Sequence, residues 1–197
     1  MLFRSLKMLK MELVQYLKEQ VESSLNSITK LNSQRIIDLS INISQCWKNG
    51  RKIAFVGNGG SAAEAMHLAA EFTGKCVLDH NPLPAMCLNE SQSAITAVGN
   101  DYGFEFIFSR QIEALLNDND ILICLSTSGK SKNIINAMEV ACNKKVSTYL
   151  WTGTNELNIP GVEIWYSNSH LTPRIQEEHL LWGHLLSEII EIQLHEN

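Results

Sequence analysis

Five short apolar runs, separated by stretches with helical spacing, leave few folds open to this chain. The runs cover 52–56, 84–88, 121–125, 146–151 and 162–166. Ile121-Leu122-Ile123-Cys124-Leu125 is apolar at every position, whereas a strand with one wet face would alternate. Such a strand is covered on both sides. Helices are predicted between the runs, over 62–72, 91–98, 104–116 and 133–143. A last helix is predicted over about 173–194, with Pro173 in the first turn, where proline is tolerated. Strands alternating with helices build βαβ crossovers, hence a parallel sheet with helices on both faces.

Two helical patterns precede the first strand. Leu6, Leu9, Leu13, Val14, Tyr16, Leu17 and Val21 recur at three- and four-residue spacing, as do Ile36, Ile37, Leu39, Ile43 and Trp47. Asn49-Gly50 ends the second as a left-handed cap would. The expected organisation is one doubly wound α/β domain over 1–197. Residues 1–50 form an N-terminal helical pair, and 51–197 form the sheet core and the C-terminal helix. No repeat, low-complexity tract or linker interrupts it.

Composition removes several function classes. A chain of 197 residues that is 45% hydrophobic can bury a full core. A net charge of −5 argues against nucleic-acid binding by bulk charge. No run of roughly eighteen apolar residues is present, so no spanning helix is expected. Cys46, Cys76, Cys87, Cys124 and Cys142 are widely spaced and lack a CxxC pair. They read as small buried hydrophobes of a cytoplasmic protein rather than as disulfides or zinc ligands. Near the N-terminus, Arg4, Lys7 and Lys10 interrupt Leu2, Phe3, Leu6 and Leu9, which fits an amphipathic helix and no targeting signal. Met8 and Met11 leave a later natural start open.

In open parallel sheets ligands sit outside the carboxyl ends of the strands, and two loops there carry chemistry. The first, Gly57-Asn58-Gly59-Gly60-Ser61-Ala62, satisfies the loose dinucleotide pattern GxGxxG/A. A nucleotide site also needs an acid about twenty positions on, and the next strand reaches Asn89-Glu90 only well beyond that. The second loop is Ser126-Thr127-Ser128-Gly129-Lys130-Ser131. Hydroxyls, a glycine and a helix N-terminus converge in it, which suits a phosphate. It lacks the GxxxxGK[ST] spacing, so a monophosphate is expected rather than a nucleoside triphosphate.

His67 and Glu71 stand at i and i+4 on one helix face. Gln176 and His184 lie on the last helix, about 12 Å apart along its axis. Together they form a candidate His/Glu/Gln/His zinc set. His80, His170 and His195 show no partner pattern and read as surface residues.

Taken in order, these stretches resemble the SIS domain of the phosphoheptose isomerases. The resemblance rests on Phe55 through Ser61, on Met66-His67 through Glu71-Phe72-Thr73-Gly74, and on Gly99-Asn100-Asp101-Tyr102-Gly103-Phe104. It continues in the serine loop and in Arg174-Ile175-Gln176-Glu177. It implies a flavodoxin-like five-stranded parallel sheet. It also implies conversion of sedoheptulose 7-phosphate to D-glycero-D-manno-heptose 7-phosphate, the entry to activated heptose for bacterial surface polysaccharides such as lipopolysaccharide and capsule. Carried over by position, Ser126, Thr127, Ser128 and Ser131 bind phosphate, while Asn58, Gly59, Gly60, Asn100 and Asp101 contact substrate. His67, Glu71, Gln176 and His184 hold one zinc per subunit, with Gln176 and Glu71 also facing substrate and with Glu71 and His184 as the catalytic pair. A homotetramer with active sites at subunit interfaces is implied, with no nucleic-acid or membrane partner. A non-catalytic relative with the same fold binds a replication initiator protein as a tetramer, and it lacks counterparts of Glu71 and His184.

Overall fold

The computed structural model describes residues 6–153 and 156–195, and their side chains except those of 6–10 and 27. Two helices, α1 (Leu6–Ile28) and α2 (Ser33–Lys48), precede β1 (Ile53–Gly57), α3 (Gly60–Thr73), β2 (Ala85–Cys87) and α4 (Gln92–Asp101). A 3-10 turn (Phe104–Phe106), α5 (Ser109–Leu115), β3 (Ile121–Ser126) and α6 (Lys132–Asn143) follow, then β4 (Ser147–Thr152), β5 (Val162–Tyr166) and α7 (Thr172–His195). The strands are all parallel, in the order β2-β1-β3-β4-β5. This is the flavodoxin-like order, with its reversal at β1 and β3.

Strand periodicity sorts the core into two layers. Ile53, Phe55, Ile121, Ile123, Leu125, Tyr149, Trp151 and Trp165 face α2, α3 and α7. Ala54, Val56, Leu122, Cys124 and Leu150 face α5 and α6. Phe55, Phe72 and Trp151 are fully buried, each worth roughly 1.5–3 kcal/mol of transfer free energy. The Asn32 side chain caps α2, and Gly50 at φ 69 ends it in the left-handed form expected of Asn49-Gly50.

Three expectations need correction. The helix expected over 104–116 is two pieces: Gly103 at φ 107 leads into a 3-10 turn, and the Asn136 amide captures the Glu105 carbonyl at 3.0 Å, which an unbroken α-helix would pair with the Ser109 N–H. Cys76 and Cys142 are only half-buried, unlike Cys46, Cys87 and Cys124. The His80 side chain is not on the surface but 4% exposed, 3.3 Å from buried Glu191. That carboxylate also accepts the backbone N–H groups of Cys76, Val77 and Leu78, so it binds the α3–β2 loop to α7 and is held below the usual range despite its burial.

His179 is buried between Trp151 and Trp182. Burial pushes its pKa down to about 3, whereas an unfolded histidine titrates near 6.5. Between those values the unfolded state binds the extra proton, so stability falls with decreasing pH by up to about 1.4 kcal/mol per unit. His179→Phe keeps a ring among the tryptophans and is expected to flatten that acid limb. Urea unfolding from about pH 7 down to 4 measures the difference, and parallel curves for the two proteins would refute it.

One surface lacks a partner among the described residues. Leu13, Val14, Tyr16, Leu17, Val21 and Leu25 leave an apolar stripe of α1 exposed. Arg174, paired with Glu177, donates to the Gln20 carbonyl, and Ser24 donates to Glu177, which ties α1 to the start of α7. Among the described residues, no helix is long and apolar enough to cross a membrane.

Candidate active site

β1 and β3 lie side by side where the strand order reverses, so the loops leaving their carboxyl ends face one crevice. Gly57 closes β1. Its N–H donates to Asn89 Oδ1 at 3.1 Å, and its carbonyl accepts from Asn89 Nδ2 at 2.9 Å. β2 has ended at Cys87, so this amide continues the ladder beyond the strand. Gly59, at φ 55, then turns the chain into α3. A side chain at Gly60 would overlap the Gln176 amide.

The serine loop is built largely on its own groups. The Gly129 N–H donates to both the carbonyl and the hydroxyl of Ser126, at 3.0 and 3.2 Å, and Ser128 Oγ accepts from the Lys130 N–H. The Thr127 carbonyl accepts from the Gly153 N–H at 3.1 Å. Ser131 precedes α6 without its side chain capping it. Its hydroxyl and the first-turn N–H groups therefore suit an anion. The two loops are joined by a reciprocal amide pair: Asn58 Nδ2 donates to Asn133 Oδ1 and Asn133 Nδ2 donates to Asn58 Oδ1, both at 2.9 Å.

α3 carries His67 about two turns and Glu71 about three turns into the helix, and α7 packs closely on it because Gly183 has no side chain where a Cβ would overlap Leu68. His184 Nε2 thereby comes 2.8 Å from His67 Nε2, and Glu71 Oε1 lies 3.3 Å from the same nitrogen. The ligand atoms of all three lie within 4.8 Å of one another. Two imidazole nitrogens and a carboxylate oxygen at this spacing are a donor set that zinc accepts. Gln176 is two turns earlier on α7 and sends its Nε2 toward Ser61 Oγ at 3.5 Å, against the first turn of α3. Three of the four expected ligands thus converge, while the fourth presents its donor end to the glycine loop. Asn100 and Asp101 are exposed on the last turn of α4, with the Asn100 amide donating to Asp101 at 2.8 Å.

Three residues of the site escaped the sequence reading. Asn89 and Asn133 act through side-chain amides on distant backbone or side-chain groups, which no spacing rule marks. An asparagine inside a helix is an unfavourable choice, and Asn133 gave that one signal. Glu64 was more accessible, since Glu64, His67 and Glu71 follow i, i+3, i+7 on one face. Its carboxylate oxygens are shut off from solvent beside Ser61 and Gln176. Burial pushes it up to about 7 against the pull of those two neighbours.

Comparison with known proteins agrees with this architecture. The SIS domain family matches residues 15–153. A phosphoheptose isomerase of Aliarcobacter butzleri is 46% identical over 75% of this chain and 79% of its own length. That of Nitratidesulfovibrio vulgaris is 40% identical over 84% and 81%. The structure of a phosphoheptose isomerase from Francisella tularensis superposes with a TM-score of 0.83 at 31% identity, covering 91% of this chain and 96% of the other. With matches of that identity over most of its length, the chain belongs to the phosphoheptose isomerase family of SIS domain proteins.

Proposed function

We propose that the chain is an aldose–ketose isomerase that converts sedoheptulose 7-phosphate into D-glycero-D-manno-heptose 7-phosphate, supplying activated heptose for surface polysaccharides. The observation that carries this reading is the convergence of His67, Glu71 and His184 within 4.8 Å, on helices that meet beside a phosphate-type loop at the sheet's switch point. The presence of both Glu71 and His184 favours the enzyme over the initiator-binding relative.

Moving a proton between C1 and C2 requires a base over carbon, a proton carrier at the oxygens, and charge stabilisation for the enediolate. Glu71 is the base that takes the C1 proton and returns it to C2. His184 moves protons on the carbonyl and hydroxyl oxygens, including those of ring opening. Ser126, Thr127, Ser128 and Ser131 hold the phosphate, which fixes the carbons that face Glu71. Asn58, Gly59 and Gly60 line the sugar-side loop, with Asn100 and Asp101 as further substrate contacts. His67, Glu71, Gln176 and His184 are the proposed zinc ligands, one ion per subunit. A bound zinc would supply Lewis-acid polarisation of the carbonyl and charge stabilisation at its oxygen.

The proposed assembly is a homotetramer with active sites at subunit interfaces. The exposed apolar stripe of α1 supports it, as does the exposure of Asn100 and Asp101, available to a neighbouring copy. The proposed setting is the cytoplasm, in keeping with five free cysteines.

The test is turnover of sedoheptulose 7-phosphate by the purified protein, before and after chelation and after zinc is returned. Turnover that disappears with the chelator and recovers with zinc is expected. A folded, zinc-loaded protein that leaves this substrate unchanged would overturn the assignment.

A further inference from the structure

The reciprocal amide pair between Asn58 and Asn133 joins the two halves of the site. Asn58 is the first residue after β1, two positions before α3, the helix that carries His67 and Glu71. Asn133 lies in the first turn of α6, immediately behind the serine loop, and is 2% exposed. Each amide donates to and accepts from the other at 2.9 Å, near-ideal lengths. Two bonds running in opposite directions between the same two amides fix relative orientation as well as separation, which a single bond would not do.

We infer that Asn133 is a positioning residue for the isomerisation, holding the helix that bears the base in register with the loop that binds phosphate. This deepens the proposed function and rests on it. In a seven-carbon sugar phosphate the reacting C1–C2 bond lies at the far end of the molecule from the phosphate. Any slack between the loops becomes an error in where C1 meets Glu71, and errors of about 1 Å cost on the order of a hundredfold in rate. Both ends of the Asn133 side-chain amide are taken by Asn58, so its effect runs through the sugar-side loop. The serine loop's hydroxyls and N–H groups do not depend on it for phosphate.

The test is a double-mutant cycle of Asn58→Ala, Asn133→Leu and the pair, with leucine keeping the branched shape of the buried side chain but none of its hydrogen-bonding groups. Asn133→Leu is expected to lower kcat about tenfold while leaving the competitive inhibition constant of inorganic phosphate unchanged. In the Asn58→Ala background the same change should cost nothing further. Additive losses, a phosphate inhibition constant that rises with KM, or a wild-type kcat would each overturn the inference. Thermal unfolding of the four proteins reads the same tie without substrate, and additive shifts in Tm would overturn it there. A wild-type protein inactive on sedoheptulose 7-phosphate would count against the proposed function, whereas an active one with an additive cycle counts against Asn133 alone.

Discussion

Glu71→Gln is expected to lower kcat by about 10²- to 10⁴-fold, the range that a positioned general base contributes, while KM changes little. The reason is local. Glutamine keeps the shape of the side chain and a carbonyl oxygen that can face His67, which Glu71 approaches at 3.3 Å. It cannot take a proton from carbon. The serine loop stands on other elements and keeps its own hydrogen bonds, so phosphate binding should survive. Substrate incubated in D₂O makes the assignment specific, because a base that exchanges its proton with solvent writes deuterium into C1 and C2. The variant should lose that incorporation along with turnover, even when its metal content matches the parent's. Retention of turnover within tenfold of the parent would remove Glu71 from the role of base.

How much of this could be read before the structure was known differs by level. The strands were legible because a parallel strand covered on both faces has no reason to alternate, as Ile121 through Leu125 show. The serine loop was legible as a strand-to-helix junction because its hydroxyls, its glycine and the helix that follows are local in sequence. His67 and Glu71 share a helix face, so their proximity could be foreseen, but the approach of His184 depends on how α7 crosses α3. That crossing turns on Gly183 against Leu68, a contact between residues far apart in sequence. Asn89, Asn133, His80 and Glu191 stayed hidden for a related reason. Their partners are backbone or side-chain groups brought near only by the finished fold, and a single polar residue with a distant partner has no periodicity to detect. The apolar stripe of α1 gives the opposite lesson, since its spacing foretold a helix correctly but not that most of that face would find no cover among the described residues.

Gly57→Ala is expected to be the most damaging single-atom-group change in the crevice, lowering Tm by on the order of 10 °C and activity by more than the unfolded fraction explains. A Cβ on Gly57 would overlap the carbonyl of Ser61. That group is backbone in the first turn of α3, so it cannot swing aside as a side chain could. Gly57 cannot retreat either, because Asn89 holds both its N–H and its carbonyl. The alanine protein must break that clamp or push α3 outward, and α3 carries His67 and Glu71. Gly59→Ala is the control two residues away. Gly59 has φ 55, but nothing lies within 4 Å of where its Cβ would be. Its stability cost is a backbone penalty at φ 55, ψ −121, about 1–3 kcal/mol, without displacement of the helix. Thermal unfolding and turnover of the two variants, measured side by side, separate close approach from backbone strain. If the Gly57 variant melts within a few degrees of the parent and the Gly59 variant melts lower, the contact with Ser61 does not set the position of α3, and the requirement for glycine in this loop is one of backbone conformation.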